Sequence, residues 1–191
     1  MQIAVVGGSP FLGALGLTFA PGKTDPHSWP SPWRRDLSTD LDVIFALKAR
    51  VVVTFLERHE FELLRIPKLG EEIRRRGLEW LHLPIRDVSV PDEIFEKAWP
   101  GHSFALRSML RAGDHVLCHC RGGLGRAGMI AARLLVDEGV APEAAIAAVR
   151  AARPGAIETR AQEDWVRKGA SGRTTPQARA KTRSLDPGGA K

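Results

Sequence analysis

A chain of 191 residues, 43% hydrophobic and 26% charged, can bury one sizeable core beneath an ordinary charged surface. No apolar run approaches the roughly 20 residues of a spanning helix, and the apolar opening, Met1 to Ala20, lacks the basic start of a signal peptide, so a cytoplasmic protein without a membrane partner is expected. The net charge of +6 does not point to nucleic acid: five basic residues against Asp186 place +4 in residues 169–191, leaving +2 and no basic stripe with interleaved aromatics elsewhere.

In chain order, Ile3 to Val6 is a short β-rich run. Gly7 to Gly13 then echoes a dinucleotide-binding turn, but Pro10 occupies the middle glycine's place and no amphipathic helix follows. Leu15 to Ala20 reads as a second strand, closed by Pro21-Gly22. Residues 23–35 form a proline-rich loop in which Trp29 and Trp33 pin the loop to the domain or roof a cleft. Ser38 or Thr39 caps a helix that runs to about Ala49. Val51 to Leu56 is an unbroken β-rich apolar run, as in a strand buried on both faces. Helical segments at 60–65 and 67–76, the latter stopped by Gly77, precede a strand from Glu79 to Ile85. Pro91 opens a helical stretch to Arg111, with a bend expected at Pro100-Gly101. Val116 to Cys120 is a strand, 126–139 a helix, and helices at 142–152 and 158–168 close the domain.

Strands alternating with helices predict an α/β fold: a central, mainly parallel sheet flanked by helices in a single domain over residues 1–168. Residues 169–191, rich in Gly, Ser, Thr and Pro, are expected to form a disordered basic tail able to touch an acidic partner. Such sheets bind ligands at the carboxyl ends of their strands, which is where Cys120 falls.

Cys118 and Cys120 are the only cysteines and stand one residue apart, so they cannot staple a fold. Strand alternation separates Cys118 and Cys120 from His115 and His119, which argues against a metal site. The run Cys118-His119-Cys120-Arg121-Gly122-Gly123-Leu124-Gly125-Arg126-Ala127-Gly128 links a strand to a helix through a glycine-rich turn. Such a turn points consecutive N–H groups inward as an anion nest at the positive end of a helix. A cysteine at its mouth is expected to be a thiolate nucleophile. Arg126 supplies a planar fork matched to phosphate oxygens.

The spacing His119-Cys120-x-x-Gly123-x-x-Arg126 resembles the signature loop of the cysteine-based protein tyrosine and dual-specificity phosphatases. Three flanking segments extend the likeness to about residues 15–168: Leu15 to Gly22, Leu83 to Asp87, and Gly155-Ala156-Ile157 with Gln162. The resemblance implies a dual-specificity-like fold and hydrolysis of phosphomonoesters through a phosphocysteine intermediate, with no cofactor and no metal. Cys120 is then the nucleophile. The backbone of Arg121, Gly122, Gly123, Leu124 and Gly125 cradles the phosphate, Arg126 clamps it, and His119 orients the loop. Asp87, at the end of a strand and before Pro91, is the general acid, with Asp92 as the rival candidate. Gln162 is assigned to the phosphate or the hydrolytic water. The family places a serine or threonine hydroxyl where this chain has Ala127, so phosphocysteine hydrolysis is expected to limit turnover.

A phosphorylated protein or peptide is the expected partner, and a site without tyrosine, accepting phosphothreonine or phosphoserine as well as phosphotyrosine, fits best. An inositol-phosphate or other small-molecule phosphatase is the alternative enzyme, and a non-catalytic phosphopeptide-binding module the alternative of another class. The run Gly123-Leu124-Gly125-Arg126-Ala127-Gly128 also matches G-x-G-x-x-G, but the helical Pro142 to Val149 stands where a dinucleotide fold needs its next strand.

Overall fold

A computed structural model describes residues 1–26 and 32–171, with side chains to Gly169; Trp29 and all but the first three residues of the expected tail lie outside the described residues. A five-stranded sheet organises the chain, in the order β1 (Ala4–Val5), β2 (Leu15–Phe19), β7 (His115–Cys120), β5 (Ala49–Thr54), β6 (Glu79–His82). Only the β1–β2 pair is antiparallel; β2–β7, β7–β5 and β5–β6 are parallel. The loop 23–35 contains a small hairpin of β3 (Thr24–Asp25) and β4 (Trp33–Arg34) that hydrophobic periodicity is too short to reveal. The helices are α1 (Leu37–Ala46), α2 (Arg58–Leu63), α3 (Leu69–Arg75), α4 (Glu93–Ala112), α5 (Gly125–Glu138), α6 (Pro142–Ala152) and α7 (Arg160–Ser171).

The sheet is buried on both faces, and side-chain alternation assigns its residues to two cores. Leu15, Leu17, Val51, Val53, Val116, Cys118 and Cys120 pack toward α4, α5, α6 and α7. Val52 and Leu117 face α1 and α3, with Leu41, Ile44, Leu69 and Ile73. Ala49 shares this second core although its parity matches Val51, because the register shifts between the two and the extra residue, Arg50, flips the alternation.

Several boundaries differ from the sequence expectation for local reasons. Asp36, not Ser38 or Thr39, caps α1: its Oδ1 accepts from the Thr39 amide at 2.7 Å and from the Thr39 hydroxyl at 2.8 Å. That helix stops at Ala46, and Lys48, at φ 60°, turns the chain into β5 two residues early. Strand β6 ends at His82 rather than Ile85, ahead of Pro84, although Leu83 and Ile85 still donate to the Thr54 and Phe55 carbonyls. Helix α4 continues through Pro100 to the left-handed cap Gly113. Helix α7 begins at Arg160, where Thr159 Oγ1 accepts from the Gln162 amide.

Candidate active site

Strand β7 delivers Cys120 to the carboxyl edge of the sheet, and the chain then crosses residues 121–124 into α5. The carbonyls of this crossing all find partners outside it. Arg121 O accepts from Lys23 Nζ at 3.1 Å; Gly122 O and Gly123 O accept from the Arg153 guanidinium at 2.9 and 2.8 Å; Leu124 O accepts from the Gly128 and Ile157 amides. Because a peptide unit is planar with C=O and N–H opposed, outward carbonyls turn the following N–H groups inward. One of them, Gly123 N–H, donates to Cys120 Sγ at 3.3 Å. Gly123 sits at φ +72°, and a Cβ there would collide with the Thr18 main chain of β2. A glycine is therefore required on two counts.

Cys120 is 3% exposed, yet it lines a cleft of about 590 Å³. Phe19, Lys23, Asp25 and Trp33 form one side of this cleft, Asp87 and Val88 another, and Arg153 and Glu158 a third. Cys118, two residues back on the same face, is sealed in the core, and burial pushes its thiol up to about 12. It is a packing residue. His119 points to the opposite face: its Nε2 lies 2.7 Å from Thr54 Oγ1, which in turn accepts from Trp80 Nε1 at 2.8 Å. Complete burial pushes the His119 imidazole down to about 4, so at neutral pH it is an uncharged strut behind the loop.

Arg126, on the first turn of α5, is 1% exposed. Its Nη1 and Nη2 grip Glu60 of α2 at 2.5 and 2.9 Å, and Nη1 also donates to the carbonyls of Ile85 and Phe55. Desolvation alone would lower its pKa, but the hydrogen bonds and charge of Glu60 outweigh it, and the guanidinium is held firmly protonated. Nη2 also meets Asp87 Oδ1 at 2.8 Å, while Nε is buried without a partner. A buried, unsatisfied cationic donor is costly unless a ligand completes it. Asp87 follows the β6 extension and is partly exposed; its Oδ1 also accepts from the Val88 amide. Asp92, the rival candidate, is the N-cap of α4, its Oδ1 accepting from the Phe95 amide at 2.8 Å.

One expectation needs correction. Gln162 does not reach the cleft: it is fully buried, its Nε2 donating to Ser89 O and its Oε1 accepting from the Glu158 amide. Both ends of the amide are used to tie the Asp87 loop and the Glu158 segment together beside Gly125, so it holds loops rather than phosphate or water. The Arg121 side chain is turned onto Asp25 at 2.7 Å, so its share in the cradle is its peptide unit. Ala127 is wholly buried, with no hydroxyl to offer. Sequence reasoning missed Glu60, Lys23, Arg153 and Glu158. No local pattern distinguishes Glu60, Lys23 and Arg153 from surface charges, because their partners lie 30 to 98 residues away, and Glu158 reaches the cleft only once the fold has formed.

Comparison with known proteins agrees with this geometry. A profile of the family described as "Swiss Army Knife protein, DSP-PTPase phosphatase domain" matches residues 36–166. Cyclin-dependent kinase inhibitor 3 of Rattus norvegicus is 31% identical over 141 residues, covering 70% of this chain and 63% of that protein. This chain therefore spans somewhat under two thirds of that relative's length. Among solved structures, kinase-associated phosphatase carrying a serine in place of its catalytic-site cysteine superposes with a TM-score of 0.76 at 26% identity, over 91% of this chain and 97% of that one. Tk-PTP in its active form gives 0.64 at 26% identity, over 88% and 96%.

Proposed function

The chain belongs to the dual-specificity (DSP-PTPase) family of cysteine-based phosphatases, and from that membership we propose that it hydrolyses phosphomonoesters on a phosphorylated protein through a phosphocysteine at Cys120. The observation that carries this reading is the unpartnered Nε of buried Arg126, on the first turn of the helix that follows the loop whose Gly123 amide donates to Cys120 Sγ. Nε and Nη2 form one edge of a guanidinium, the arrangement that receives two phosphate oxygens side by side.

In the first step the Cys120 thiolate attacks phosphorus, the ester P–O bond breaks, and Asp87 gives a proton to the leaving oxygen. The amides after residue 121 and Arg126 hold the three equatorial oxygens as charge spreads over them. The Asp87 carboxylate now sits where one such oxygen would meet Nη2; an arriving phosphate takes that donor and frees Asp87 for the leaving group. In the second step water gives a proton to the Asp87 carboxylate as its oxygen attacks phosphorus, the S–P bond breaks, and inorganic phosphate, the Cys120 thiolate and protonated Asp87 result.

A panel of p-nitrophenyl phosphate, phosphotyrosine and phosphothreonine peptides and inositol phosphates tests the reading, with Cys120→Ser alongside. Phosphate release from the aryl ester and the peptides in the presence of a chelator, abolished in Cys120→Ser, is expected. Release from inositol phosphates alone would replace the substrate class, and binding of phosphopeptides without release would make the chain a binding module.

A further inference from the structure

Lys23 follows the Pro21-Gly22 turn and is 4% exposed, although it lines the same cleft as Cys120. Its ammonium lies over two aromatic rings, Nζ standing 4.0 Å from the Trp33 centroid and 5.3 Å from that of Phe19. Desolvation by this burial pushes the ammonium down to about 8; Arg121 and Arg153 push the same way, while Asp25 and Cys120 oppose. Asp87 and Glu158 also line the cleft, and Arg35, over the Phe19 ring, is bound to Asp40 at 2.6 Å. A buried cation is expensive, and a packing role under Trp33 does not need one.

We propose that Lys23 is a positioning residue for the proposed phosphoryl transfer, its ammonium fixing and polarising the Arg121–Gly122 peptide so that the Gly122 amide faces the phosphate. Nζ donates to Arg121 O at 3.1 Å, and Ala20 N–H supports the same carbonyl at 3.4 Å. The opposite side of that peptide unit is the Gly122 N–H, the first inward donor after the nucleophile. A cation on the carbonyl strengthens the N–H as a donor, as in any chain of coupled hydrogen bonds. Loss of the Lys23 proton therefore weakens oxyanion binding on the alkaline side. It does not weaken the fold: a lysine whose value is lowered on folding gains relative stability as pH rises from about 8 toward its unfolded value.

The inference rests on the phosphatase reading, but its test needs no turnover. Cys120 is alkylated with iodoacetamide across pH 5–10, with and without inorganic phosphate as protecting ligand, in the parent, Lys23→Met and Lys23→Arg, with circular dichroism recorded at each pH. Lys23→Met keeps the apolar stem and is expected to weaken phosphate protection about tenfold at pH 7.5. In the parent, protection fades between pH 7.5 and 9.5 without unfolding; in Lys23→Arg it persists. Superimposable protection profiles for the parent and Lys23→Met, or equal fading in the parent and Lys23→Arg, would overturn the role of Lys23. Phosphate-protected, Lys23-dependent alkylation in a chain that hydrolyses nothing on the panel would uphold Lys23 as a loop organiser and remove only the catalytic reading.

Discussion

Arg126 is a full charge in the protein interior, tolerable because Glu60, itself 2% exposed, meets it with two oxygens. The pair is a local organiser more than a source of stability, since burying both ions offsets much of their attraction. Removing one partner is different. Glu60→Ala strands the guanidinium and is expected to cost about 3–5 kcal/mol in denaturant unfolding; Glu60→Gln, which keeps the shape, should retain the fold but lower kcat/KM about 100-fold because the clamp is no longer aimed. An unchanged kcat/KM in a folded Glu60→Gln would mean that Arg126 is positioned without it. His119 yields a pH prediction. Its folded value of about 4 lies below the ordinary 6.5, so the unfolded chain takes up a proton before the folded one does. Stability is indifferent to this group above pH 6.5 and falls as pH drops from 6.5 to 4, by about 3 kcal/mol at most. His119→Gln should flatten that slope in Tm against pH. At this scale the sequence singles out Cys120, Arg126 and Asp87, which short motifs mark and which the fold brings to one end of the sheet, and hides Glu60 and Lys23, whose contacts exist only after distant segments meet. Gln162 was placed in the right neighbourhood with the wrong task, because a motif position does not say whether an amide faces the cleft or the loops behind it.

The elements that matter most are the irregular ones. Two β-branched residues, Val88 beside Asp87 and Ile157 beside Glu158, adopt left-handed φ values of 55° and 59°. Such strain costs on the order of 1–3 kcal/mol per residue and gathers where loops are constrained around a site. The signature crossing is the tightest of these elements. Gly123→Ala should be crippling, because its Cβ would strike the Thr18 main chain, which cannot move without shifting β2. Gly125→Ala meets instead the ends of the Glu158 and Gln162 side chains, which can swing aside, so it should fold with a rearranged cleft wall. Thermal melts and activity of the two variants check the contrast; equal tolerance would show that the crossing is looser than described. Periodicity located every helix and the main strands in sequence because those segments are long and bury one face or both. It overran β6, which stops ahead of Pro84, and α1, which stops ahead of the left-handed Lys48, and it passed over the β3–β4 hairpin, whose two-residue ladder is too short to show a period.

For the molecule as a whole, the sheet order carries the chemistry. Strand β7 lies between β2 and β5, so its end is flanked by Phe19 and Lys23 on one side and by the approach to Glu60 and Asp87 on the other. Four segments far apart in sequence thereby converge on one sulfur, with α5 beneath it. Strand–helix alternation made that convergence at the carboxyl edge predictable in outline, but not which charged residues would wall the cleft. The central claim is covalent transfer of phosphate to Cys120, and rapid mixing of the full chain with p-nitrophenyl phosphate and chelator tests it most directly. With Ala127 offering no hydroxyl to the departing sulfur, p-nitrophenolate should appear in a burst approaching one equivalent per chain, followed by slower steady turnover, and acid-quenched protein should carry phosphate on Cys120. Turnover that survives Cys120→Ser, or quenched protein free of phosphate during steady hydrolysis, would contradict the account.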